Sequence, residues 1–149
     1  MATLIRGETS FDCALVAWQM LLKMGREELI GHLGHDGSEM VDGVNPRGFH
    51  MQEFLPIALK ANLRPMYVEY IPSTIYPGGH VRPITSLIRF FHDQISTRFG
   101  VLECKKIGRP VAHAVYFEKG IIYDPSGFKY SMEAMKDFAE LRPIGAYVC

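Results

Sequence analysis

The sequence contains no apolar run approaching the roughly 18–20 residues that a membrane span requires. Its first residues, Met1 to Glu8, lack the basic-then-apolar design of a signal peptide. The expectation is therefore a soluble, cytoplasmic protein. Neither sign of charge prevails, because Lys plus Arg and Asp plus Glu number 16 each. That balance gives no reason to expect nucleic acid or an acidic membrane as partner. Cysteine is sparse, at positions 13, 104 and 149, and no two have CxxC spacing. An odd, scattered set argues against a disulfide framework and against a structural zinc site. HExxH is absent as well. His32, His35 and Asp36 bring two possible ligands together, with no matching second pair, so surface or loop histidines are the simpler reading. No metal or organic cofactor is implied. Internal repeats and low-complexity segments are also missing.

What is present suits one domain over residues 1–149. Apolar residues make up 48% of the chain and charged residues 21%, as in ordinary soluble domains. Asp12 to Met24 is apolar around most of a helical circumference and reads as a buried helix. Ser10 or Asp12 is placed to cap it and Gly25 to end it. A short helix follows over Arg26 to Leu33. Gly34 to Gly48 reads as loop, and His50 to Ala61 as an amphipathic helix that Pro56 kinks or delays. Leu63 to Tyr70 reads as a strand, and proline-rich Ile71 to Pro83 as a loop. Ile84 to Phe99 has the clearest helical period. Strand patterns dominate afterwards, over Val101 to Lys105, Pro110 to Phe117, Ile121 to Tyr123 and Ile144 to Val148, with a short helix over Ser131 to Leu141. Helices first and sheet later predict an α+β domain whose sheet, given short connections, is antiparallel.

Cys13 falls at the start of the first helix, where the dipole and free backbone N–H groups favour a thiolate. Burial as a small apolar residue is the competing reading. Pro110 to Pro125 reads as a hairpin turning at Glu118-Lys119-Gly120. With Phe117 paired to Gly120, counting back places His113 directly opposite Asp124 on one face. A carboxylate there would fix the imidazole tautomer, and the imidazole would take the thiol proton. A half-buried strand histidine and an Asp-Pro turn are the simpler alternatives.

These residues also resemble a known group. Phe11-Asp12-Cys13-Ala14-Leu15 before a buried helix is similar to the Asp-Cys-Gly entry of the papain-like peptidases that trim double-glycine leaders from bacteriocins. His113-Ala-Val-Tyr and Ile121-Ile-Tyr-Asp124-Pro125-Ser-Gly127 resemble their His-x-Val-Val and Tyr-Asp-Pro-x-x-Gly stretches. Gly48 to Leu63 resembles the segment between. The resemblance implies a papain-like fold with Cys13 as nucleophile, His113 as base and Asp124 as its orienter. It implies a cysteine peptidase or related thiol hydrolase, acting on a peptide or protein substrate through an acyl-enzyme; the 34–48 and 71–83 loops are expected to border the cleft between the Cys13 helix and the His113 sheet. Members of that group carry a Gln six residues before the Cys to polarise the oxyanion, whereas this chain has Gly7, and Ala14 replaces their Gly. Losing one such donor typically costs about 10²–10³ in rate. The same triad serves deamidation or transglutamination, and a papain-like domain that binds a peptide or protein without cutting it is the alternative from another class.

Overall fold

A computed structural model describes residues 2–149. Eight strands and five α-helices follow one another as α1 (Cys13–Leu22), α2 (Arg26–Leu33), α3 (Leu55–Lys60), β1 (Met66–Glu69), β2 (Ser73–Ile75), β3 (Val81–Pro83), α4 (Thr85–Thr97), β4 (Phe99–Lys106), β5 (Ala112–Glu118), β6 (Ile121–Asp124), β7 (Phe128–Ser131), α5 (Met135–Ala139) and β8 (Leu141–Val148). Short 3-10 turns, Met51–Phe54 and Met132–Ala134, lead into α3 and α5. The protein is α+β, as the order of patterns predicts. Its main sheet has six strands in the order β1-β8-β4-β5-β6-β7, antiparallel throughout. Among the described residues no helix is long and apolar enough to cross a membrane.

Both faces of the sheet are covered, and strand alternation divides the core accordingly. Ala114 and Tyr116 of β5 and Val101 of β4 turn to the face that holds α1, where Leu15, Ala17 and Trp18 are fully buried. Val115 and Phe117 turn to the other face, against Phe91 and Ile95 of α4 and Met135 of α5. Fully burying one such apolar side chain contributes about 1.5–3 kcal/mol, so α1, buried along nearly its whole length, is fixed firmly on the sheet. Trp18 stacks on Phe54 with ring centroids 5.2 Å apart, which joins α1 to the turn that opens α3.

Several local expectations change. Helix α1 ends earlier than its pattern suggests: Lys23 takes the left-handed conformation (φ 53°) and its N–H bonds Gln19 O, while Gly25 becomes the N-cap of α2. Residues 71–83 are not a plain loop. They hold the β2–β3 hairpin, hidden in the sequence by three prolines and by strands that bury nothing. β7 is likewise an unforeseen strand. Pro56 does delay α3, sitting in its first turn where the missing N–H costs nothing.

Candidate active site

Cys13 is the first residue of α1, and the first helical bond runs from Val16 N–H to Asp12 O, 2.9 Å. The N–H groups of Cys13, Ala14 and Leu15 therefore precede the first intrahelical bond at the positive end of the helix dipole. Asp12 precedes them, but it does not cap the helix with its side chain. Its buried carboxylate (1% exposed) turns back instead. There it accepts the Glu8 N–H (2.9 Å), the Thr9 N–H (3.2 Å) and an Arg26 guanidinium N–H (2.8 Å). One carboxylate thus ties the loop before Cys13 to α2. The same loop is tied to the sheet by Gly7 N–H donating to Pro125 O, 2.8 Å.

His113 and Asp124 lie near the ends of β5 and β6. The hairpin turns on Lys119-Gly120 alone, both with positive φ (48° and 83°). Glu118 pairs with Ile121 and Phe117 with Ile122, not Phe117 with Gly120 as the sequence suggested. That register differs by two residues from the expected one, which moves Asp124 opposite Val115 but leaves it on the face of His113. His113 Nε2 and Asp124 Oδ1 are 2.7 Å apart. The carboxylate has two further partners: Oδ1 also accepts the Ser126 N–H at 2.9 Å, and Oδ2 accepts the Tyr130 hydroxyl at 2.7 Å.

Burial works against charge on His113. The hydrogen bond to Asp124, the Cys13 thiol beside the ring and the charges of both outweigh it, and the imidazole pKa rises to about 9. Burial also opposes charge on Asp124, and there the bond and charge of His113, then the Ser126 N–H and the Tyr130 hydroxyl, hold the carboxyl down at about 2. With Nε2 committed to Asp124, Nδ1 is the ring nitrogen left for the thiol.

Cys13 and His113 together border two cavities. The first, about 340 Å³, has Arg6, Thr9, Ser10 and Ser126 on its walls. The second, about 360 Å³, is bounded by Phe49, His50, Met51, Gln52 and Glu103. A third, about 390 Å³, touches His113 and Asp124 but not Cys13; Phe128, Phe138 and Lys106 line it. The cleft therefore runs past Cys13 between the loop before α1 and the turn before α3. Neither Cys13 cavity includes a residue of the 34–48 or 71–83 segments, which replaces the expected borders.

Gly7 occupies a place closed to side chains. A Cβ there would stand 2.7 Å from Asp12 Oδ1 and 3.5 Å from Pro125 O. A glutamine at this position would have to displace the buried Asp12.

Cys104 lies beside His113 across the β4–β5 ladder, yet it is fully buried and burial pushes its thiol pKa well up. His35 does not form a ligand set with His32 and Asp36. Its Nε2 meets Glu53 Oε1 at 2.7 Å and its Nδ1 accepts the Gly37 N–H at 3.1 Å. Among the described residues no group of three or more His, Cys, Asp or Glu is arranged to hold a metal ion. Tyr130, Arg6 and Glu103 carry no sequence signal for this site: the β6–β7 pairing brings the Tyr130 hydroxyl to Asp124, and Arg6 and Glu103 line the two Cys13 cavities from distant parts of the chain. No family model, curated protein or solved structure matches this chain.

Proposed function

We propose that this protein is a papain-like thiol hydrolase that opens a peptide or isopeptide bond through Cys13, His113 and Asp124. The observation that carries the reading is the 2.7 Å contact of His113 Nε2 with a buried Asp124 that Ser126 and Tyr130 also hold, beside the one thiol placed at a helix N-terminus and open to a cleft. An acid–histidine pair next to such a thiol has a direct chemical use.

In that reaction the Cys13 sulfur attacks the amide carbonyl carbon, and the oxygen that becomes negative is met by the Cys13 N–H. The His113 imidazolium gives its proton to the departing amine, leaving an acyl-enzyme thioester. Neutral His113 then takes a proton from water, whose oxygen displaces the sulfur and releases the acid. Asp124 keeps the ring oriented through both steps and stabilises its positive form. Deamidation or transglutamination would share the first half, differing in the leaving amine or in the acceptor.

The closed position at Gly7 favours a second reading, a papain-like domain that binds a peptide or protein partner and cuts slowly or not at all. Incubation of the wild type and Cys13→Ala with a diverse peptide library, read by mass spectrometry for new termini and for Gln-to-Glu conversion, separates the two. Products that depend on Cys13 support the enzyme. Peptide retention without products supports the binder.

A further inference from the structure

The two halves of the Cys13 cleft carry opposite charges. On the first side stands Arg6, exposed at the mouth; the other charge there, Asp12, is already bonded to Arg26. On the second side stands Glu103, half-buried on β4 below the turn before α3. Among the described residues neither Arg6 nor Glu103 forms an ion pair or a side-chain hydrogen bond; His113 and Asp124, by contrast, hold each other.

Arg6 is also placed rather than loose. Its side chain runs along the turn after Asp124, where a Cβ added to Gly127 would lie 3.4 Å from Arg6 Cδ, and the next residue is hydrogen-bonded to Pro125 O. Glu103 lies near the phenols of Tyr67 and Tyr147, and no ion pair offsets it among the described residues. Glu103 is thus a partly desolvated charge with no partner, which is unfavourable in the free protein and is repaid when a ligand brings the opposite charge.

We infer that the cleft is bipolar and selects a substrate whose scissile amide is flanked by a carboxylate on the Arg6 side and by an ammonium or guanidinium on the Glu103 side. The substrate class is thus a peptide or isopeptide with unlike charges at the positions on either side of the bond. The inference rests on Cys13 as the reacting group, and it is tested through that thiol without needing turnover.

Three methanethiosulfonates with the same leaving group provide the probe: sulfonatoethyl (anionic), methyl (neutral) and trimethylammonioethyl (cationic). Each forms a mixed disulfide at Cys13 and releases methanesulfinate, and peptide mass spectrometry reads the rate at that residue. In Arg6→Ala the anionic-to-neutral rate ratio falls about tenfold and the cationic-to-neutral ratio does not fall, the scale expected for one nearby charge in a partly exposed site. In Glu103→Gln the cationic-to-neutral ratio falls and the anionic one does not. Ratios at Cys13 that neither substitution changes, or that both change alike, overturn the bipolar cleft. His113→Ala tests the other matter: if it leaves all three rates as they are, the hydrolase reading fails while the charge ratios still stand or fall by themselves.

Discussion

Asp124 lies diagonally across the β5–β6 hairpin from His113, and the two side chains still meet at 2.7 Å. The ladder pairs Phe117 with Ile122, so its continuation sets Asp124 against Val115, two residues from His113. Diagonal neighbours on one face have backbones about 7–8 Å apart, a span that an imidazole and a carboxylate bridge together. An offset of one residue would have put them on opposite faces. The pairing therefore depends on the two-residue Lys119-Gly120 turn, which sets the register.

This pair makes stability depend on pH in a stated direction. The His113 pKa is raised from 6.5 to about 9, so its contribution is complete below pH 6.5 and is lost as pH rises through 9. The Asp124 pKa is lowered from 3.8 to about 2, so its contribution is present above pH 3.8 and is lost as pH falls through 2. Denaturant titrations of wild type and His113→Ala should show the largest stability difference on the acidic side of pH 6.5, shrinking towards pH 9. A difference that grows over that range contradicts the pairing.

Tyr130 donates to the Asp124 oxygen that His113 does not use, 2.7 Å away. Tyr130→Phe removes a buried hydrogen bond to a charged group, worth about 1.5–3 kcal/mol. Its loss should also raise the Asp124 pKa, moving the acid limb of the stability profile upward. Urea unfolding at several pH values checks both effects, and an unchanged acid limb would show that Tyr130 does not act on the carboxylate.

Asp12 is the tie for the loop that forms one wall of the cleft. Asp12→Ala leaves Arg26 and two loop N–H groups without their acceptor and should destabilise the protein by about 2–3 kcal/mol. Amide hydrogen exchange should speed up at Glu8 and Thr9 before it does so in the sheet. Equal protection of both N–H groups in the variant would refute the role.

Gly7→Gln places the side chain that the resemblance calls for, and the geometry says it will not help. Its Cβ would stand 2.7 Å from Asp12 Oδ1, so overpacking should cost about 1–3 kcal/mol. Chemical denaturation reads the cost. A variant as stable as wild type and faster on amide substrates would mean that the loop relaxes to accept a glutamine.

Much of this arrangement was legible in the residues. The apolar circumference of Ala14 to Leu21 marked a buried helix, and Glu118-Lys119-Gly120 marked the hairpin that brings Asp124 near His113. A two-residue error in register did no harm, because alternation has period two. Other parts depended on contacts remote in sequence. Asp12 has the identity of an N-cap, yet Arg26, from the next helix, draws its carboxylate away. Phe128 to Ser131 buries Tyr130 and little else of the strand, so β7 lacked a pattern until β6 paired with it. Arg6 and Glu103 sit far apart in the chain and meet at the cleft only because α1 and its leading loop pack over the end of the sheet.

The central claim is an activated Cys13–His113 pair, and the pH dependence of iodoacetamide labelling tests it most directly. Cys104 is fully buried, which leaves Cys149 as the internal comparison in the native protein. Peptide mass spectrometry should find Cys13 labelled rapidly below about pH 7, where ordinary thiols are mostly protonated, with that advantage abolished in His113→Ala. Labelling of Cys13 that rises only near about pH 8.5, as for a free thiol, and is the same in both proteins would contradict the account.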